Sequence, residues 1–243
     1  MSAVPALRLP ASISQHAFLA TPVMVAALAQ HIATAMRAAI RERGQALLLV
    51  SGGRSPAALF ERLSQSEIEW AKVTVGLVDE RCVAENSADR NDALVRLHLM
   101  QGNAAHVHFI PLIEGGIDAL AELAGARLRV ARLPLPADVV VLGMGDDGHT
   151  ASWFPGADET AAAIDAETLE QVAIVRPRTA AHTRLTLTLP VVLGARQILL
   201  PVQGAKKLAV LERAGEAATN VAELPVAAIL RQDRTPVHVY HGP

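Results

Sequence analysis

Hydrophobic positions along this chain come in two patterns. In one, apolar and small residues recur at helical spacing among polar ones. In the other, a short apolar run is closed by glycine or by acids. Thr21-Pro22 opens the longest helical stretch, as an N-cap followed by proline at the first helical position, and Gly44 ends it after Arg43. The same reading predicts helices from Ser55-Pro56 to about Leu63, from Asp89 to about Leu97, over Ile117–Arg132 and over Ala205–Ala214. The short runs Ala46–Val50, Val73–Val78, His106–Ile110, Val139–Leu142 and Gln197–Val202 predict strands, joined by Val172–Val175, Leu185–Thr188 and Val237–Tyr240. Several of these strands are apolar throughout rather than alternating. Set between helices, they predict an α/β fold, a mostly parallel sheet with helices on both faces. No internal repeat or long polar linker divides residues 1–243, so one domain is expected. Asp158–Glu170, rich in Ala, Glu and Asp, fits a loop or an exposed helix.

Three predicted strands end in polar clusters, and a parallel sheet would bring all three to one edge, where ligands bind in open α/β folds. The first is Ser51-Gly52-Gly53-Arg54-Ser55. A glycine turn that runs into a helix offers free N–H groups and the positive end of the helix, which suits an anion. Ser51 and Ser55 can add hydroxyl donors, and the turn lacks the G-x-x-x-x-G-K-[ST] spacing of a Walker A loop. The second is Asp79-Glu80-Arg81, where Arg81 can either pair with the acids or grip a phosphate with both arms. The third runs from Gly143 through Gly145, Asp146, Asp147 and Gly148 to His149. A histidine with a carboxylate to fix its tautomer suits general-base work.

Gly143, Gly145 and Gly148 also spell G-x-G-x-x-G, the dinucleotide fingerprint. The surroundings oppose that reading. Pro155-Gly156 cuts short any helix after the third glycine, and the next predicted strand ends at Arg176 rather than an acid. Arg184 and Lys206 supply further cations for an anion at the same edge, Lys206 against the helix dipole of its own segment. His106 and His108 read as structural and Cys82 as a bystander.

Composition narrows the classes. The chain has 243 residues, 51% of them hydrophobic but only 3% aromatic, so Ala, Val, Leu and Ile must build the core. One cysteine excludes an internal disulfide and a cysteine zinc cluster. The net charge of −2 and the absence of a Lys/Arg run argue against nucleic acid or an anionic membrane as partner. Val23–Ile40 is greasy but broken by Gln30, His31 and Arg37, which reads as too polar for a bilayer, and a cytoplasmic protein is expected.

Taken together, these blocks resemble the 6-phosphogluconolactonase family. They are Ser51–Pro56, Asp79–Val83, Asp89-Arg90-Asn91, Leu142–Gly156, Arg184–Pro190 and Gly204–Lys207, in that order along the chain. The resemblance implies hydrolysis of 6-phosphoglucono-δ-lactone to 6-phosphogluconate with no metal or organic cofactor. It also implies a fold shared with glucosamine-6-phosphate deaminases and ribose-5-phosphate isomerases. On that reading His149 is the base and Asp147 holds it. Backbone N–H groups of the Gly143–Gly148 turn, Gly145 among them, meet the substrate and its oxyanion. The phosphate falls to Ser51, Gly52, Gly53, Arg54, Ser55, Arg81, Lys206 and Arg184, with Asp79 beside them. The deaminases share Gly-x-Gly-x-Asp-Gly-His but carry a glutamate where this chain has Phe154, and tend to an aromatic residue where it has Arg81. Ala84, in place of a common proline, and Arg54, in place of a small residue, depart from the lactonase pattern. A sugar-phosphate-binding protein without catalysis is the remaining alternative, and the expected assembly is a monomer or small homo-oligomer.

Overall fold

The computed structural model describes residues 5–53 and 56–243. In chain order the elements are β1 (Ile13–Ala17), α1 (Thr21–Arg43), β2 (Ala46–Val50), α2 (Ala57–Ser64), β3 (Val73–Leu77), β4 (Asp79–Arg81), α3 (Asn91–His98), β5 (His108–Ile110) and α4 (Ala119–Val130). Then follow β6 (Val139–Val141), α5 (Thr160–Ala163), β7 (Val172–Val175), β8 (Arg184–Leu187), α6 (Leu189–Leu193), β9 (Ile198–Gln203), α7 (Ala205–Gly215), α8 (Ala227–Leu230) and β10 (Val237–Gly242).

Seven strands form one sheet in the order β1-β10-β9-β6-β2-β3-β5, every neighbouring pair parallel. The expected mostly parallel sheet is therefore present, and its middle is dry. All five residues of β2 are buried, as are all three of β6. Truncating one such leucine to alanine costs about 2–5 kcal/mol, because a packed interior collapses only partly around the hole. By length and composition α1 would suffice to cross a membrane. In this fold Leu28, Ile32, Met36 and Ile40 instead bury one side of it against the sheet and α2.

Several element ends shift by one or two residues, and three further differences from the sequence reading have local reasons. The strand expected over Val73–Val78 stops at Leu77, and Asp79–Arg81 leaves the main sheet to start a second, three-stranded one, β4-β8-β7, that is antiparallel. Period and polarity carry no sign of that change of partner. β1 escaped notice because Ile13-Ser14-Gln15-His16-Ala17 is a half-exposed edge strand whose polar residues hide the alternation. Thr21 is not the cap of α1. Ala20 takes that place without a side-chain bond, and the Thr21 hydroxyl accepts from Gln203 Nε2 at 2.8 Å.

Candidate active site

Four neighbouring strands of the main sheet, β9, β6, β2 and β3, run in one direction, so their carboxyl ends open on the same side. There Gln203, Gly143–Gly145, His149, Ser51–Gly53 and Asp79 surround a cleft of about 750 Å³. The three polar clusters expected to share an edge do share it. Ser51 is buried and borders the cleft, and its hydroxyl has no partner among the described residues. Arg54 and Ser55, the rest of the predicted anion turn, lie outside the described residues.

His149 stands on the wall of this cleft. Its Nδ1 lies 2.6 Å from Asp147 Oδ1, which also accepts the His149 backbone N–H at 3.2 Å. Burial works to raise the Asp147 carboxyl, but the hydrogen bond and charge of His149 outweigh it and hold it below the usual carboxylate range. Asp147 is thus an ionised, acceptor-only partner. The Nδ1 proton belongs to the imidazole, which leaves the lone pair on Nε2. One face of the ring is covered by Phe154, with centroids 4.2 Å apart. The other side is closed by Gly145, where an added Cβ would lie 2.2 Å from the ring. Only glycine lets the histidine sit there.

The turn that carries His149 is held by its own amides. Gly145 N–H donates to His149 O at 2.9 Å and Gly148 N–H to Gly145 O at 3.1 Å. These two groups are committed to closing the turn, so the oxyanion role expected of Gly145 has no free donor there. Thr150 braces the same turn from its hydroxyl to Gly143 O at 2.8 Å.

Cations line the same cleft. Arg81 and Arg184 are directly opposed across the β4–β8 ladder, which only the antiparallel second sheet makes possible. Burial and the neighbouring Arg81 charge both pull the Arg184 guanidinium below its ordinary range. Two guanidiniums side by side at a cleft wall form a ready seat for a dianion. Lys207, rather than the expected Lys206, borders the cleft, with Nζ 2.8 Å from Met144 O. Lys206 points away and pairs with Asp146 at 2.9 Å on the surface. The helix period decides this, since adjacent residues stand about 100° apart.

Behind the wall, Ser152 donates to Asp79 Oδ2 at 2.5 Å, fixing that carboxylate toward the cleft. Glu80 is fully buried and accepts three backbone N–H groups, from Arg81 at 2.7 Å and from Asn91 and Asp92 at 2.8 Å each. Burial pushes its carboxyl up to about 7 against the pull of those donors. No group of three or more His, Cys, Asp or Glu side chains able to hold a metal ion occurs among the described residues.

Comparison with known proteins accords with this geometry. The family profile described as glucosamine-6-phosphate isomerases/6-phosphogluconolactonase matches residues 20–238. The chain belongs to this family. A 6-phosphogluconolactonase of Pseudomonas aeruginosa is 42% identical over 98% of this chain and 99% of its own. One of Rhizobium meliloti is 41% identical over 96% of this chain and 100% of its own. A crystal structure of a 6-phosphogluconolactonase from Shewanella baltica superposes with a TM-score of 0.93 at 37% identity, covering 97% of this chain and 100% of that one. A monomeric glucosamine-6-phosphate deaminase, 16% identical, shares the fold with a TM-score of 0.72.

Lys207, Ser152, Asn91 and Phe154 all lie in blocks that carry the family resemblance, but local sequence assigns them no place in the site. Their positions at or behind the cleft wall come from the packing of α7, α3 and the loop after β6 against the strands.

Proposed function

We propose that this chain, as one domain over residues 1–243, hydrolyses 6-phosphoglucono-δ-lactone to 6-phosphogluconate, with His149 as general base. The observation that carries the proposal is the 2.6 Å contact between His149 Nδ1 and an ionised Asp147, at the edge of a cleft that Arg81, Arg184 and Lys207 also line. The Asp147–His149 pair presents Nε2 to a water molecule. That water attacks the lactone carbonyl carbon while Nε2 takes its proton. The tetrahedral intermediate collapses with cleavage of the bond between the carbonyl carbon and the ring oxygen. Nε2 returns the proton to that oxygen, which leaves as a hydroxyl, and the new carboxylic acid ionises.

Arg184, Arg81 and Lys207, with Ser51 and the Gly52-Gly53 turn, hold the phosphate dianion. Binding the remote phosphate fixes the ring, so the carbonyl waits within reach of the base. Asp79, held by Ser152, faces the sugar. Phe154 lies against His149 where a deaminase-type chemistry would need an acid, which favours hydrolysis over ring-opening isomerisation. A sugar-phosphate lactone is the partner this reading requires. It needs neither membrane nor nucleic acid and is consistent with a cytoplasmic enzyme.

The test is hydrolysis of freshly prepared 6-phosphoglucono-δ-lactone at slightly acid pH, where the spontaneous reaction is slow, comparing wild type with His149→Ala. General-base help amounts to about 10²–10⁴-fold, so the variant should lose that much turnover while keeping its affinity. Full turnover in the variant would remove His149 as base. Ammonia release from glucosamine 6-phosphate in place of lactone hydrolysis would replace the reaction itself.

A further inference from the structure

Glu80 does not border the cleft, yet Arg81 and Asn91, which do, both hang from it by their backbone N–H groups. Its Oε1 accepts from Arg81 N at 2.7 Å and from Asn91 N at 2.8 Å, and its Oε2 accepts from Asp92 N at 2.8 Å. The carboxylate therefore joins β4 to the first turn of α3, an end that its capping residue Arg90 does not cap with its side chain. Buried carboxylates are rare without such compensation, and here the partners are all backbone.

What Glu80 holds in place is Asn91. The Asn91 amide Nδ2 donates to Asp79 O at 2.9 Å, and its Oδ1 covers Gly52 so closely that a methyl group there would lie 1.9 Å away. One side chain thus ties together the backbone of Asp79 and the glycine turn after β2. Both border the cleft, as does Arg81, whose own N–H ends on Glu80.

We infer that Glu80 is a positioning residue for substrate binding, acting through Asn91 to set the Gly52-Gly53 turn, Asp79 and Arg81 in register with the phosphate. The inference rests on the reading that this turn and the cleft's cations hold the phosphate. It assigns Glu80 no contact with substrate and no proton transfer.

The experiment is a double-substitution cycle of Glu80→Gln and Asn91→Ala, read as kcat and KM for 6-phosphoglucono-δ-lactone and as the inhibition constant of inorganic phosphate. Glutamine keeps the shape but sets an NH₂ against one of the three N–H donors. Each single variant should raise KM and the phosphate inhibition constant together by about tenfold, with kcat within about threefold of wild type, since each removes about one buried hydrogen bond that holds the wall. The double variant should be no worse than the poorer single, because the two residues form one chain of contacts. Effects that multiply to about a hundredfold would overturn the link through Asn91. An unchanged KM in Glu80→Gln would overturn the role itself. If Glu80→Gln does not fold, Asn91→Ala must by itself raise the phosphate inhibition constant, or the inference fails. Arg184→Met separates the two levels. A raised inhibition constant there with no change in Glu80→Gln discards only the positioning role, whereas no change in either discards the phosphate reading as well.

Discussion

Replacing Asp147 by asparagine removes one charge and almost no volume. Wild-type Asp147 accepts the Nδ1 proton of His149 at 2.6 Å and so decides which nitrogen is free to act as base. An asparagine can present either its oxygen or its NH₂ to Nδ1, and the second choice moves the proton to Nε2, the wrong side. Even with the oxygen in place, the hydrogen bond changes from charge-assisted to neutral. A bond to a charged partner contributes about 1.5–3 kcal/mol and a neutral one about 1 kcal/mol. The two side chains are 30% and 37% exposed, so solvent screens part of the difference and the lower end applies. Tautomer loss and the weaker bond together amount to about 1.4–2 kcal/mol on the barrier, a fall in kcat of about 10- to 30-fold. KM should stay within about twofold, because the phosphate contacts are elsewhere and this interaction matters chiefly as the imidazole becomes charged. The assay is initial-rate hydrolysis of fresh lactone followed by proton release in weak buffer, with the uncatalysed rate subtracted. A variant retaining more than half of wild-type kcat, or one losing only KM, would refute the view that Asp147 sets the base.

Three further outcomes follow from the same coordinates. Lys207→Met should raise KM about tenfold or more, whereas Lys206→Met should change it less than threefold, as kinetics of the two variants side by side will show. Gly145→Ala should lower kcat by about two orders of magnitude with a folded protein by circular dichroism, since the methyl would displace the His149 ring that lies 2.2 Å from its position. Away from the site, burial and then the charges of His31 and His16 lower the His238 pKa from 6.5 to about 4. A base with a depressed folded pKa binds fewer protons folded than unfolded, so its contribution is intact above 6.5 and is lost as pH falls toward 4. His238→Gln should therefore narrow the drop in melting temperature between pH 7 and pH 4.5, and an unchanged drop would show that the cluster does not govern acid stability.

Much of this protein is decided by local sequence. The continuous apolar runs of β2 and β6 could only become strands buried on both faces, which require helices on either side and hence parallel order. Parallel order in turn sends Ser51, Asp79 and His149 to one edge. The spacing Asp147-Gly148-His149 brings carboxylate and imidazole within reach of each other without help from the rest of the chain. Other features depend on contacts between distant segments and leave no local trace. Asp79–Arg81 reads as the tail of β3, and only its pairing with Arg184, more than a hundred residues later, makes it β4 and sets two guanidiniums side by side. Lys206 and Lys207 are interchangeable by type, and the direction of α7 on the sheet selects the second. Glu80 looks like one acid of a surface pair until α3 docks and places two more amides on its carboxylate. Hydrophobic period and turn chemistry act over a few residues, so they are written where they act. Which side chain faces the cleft, and which lies behind it, is fixed when the elements pack.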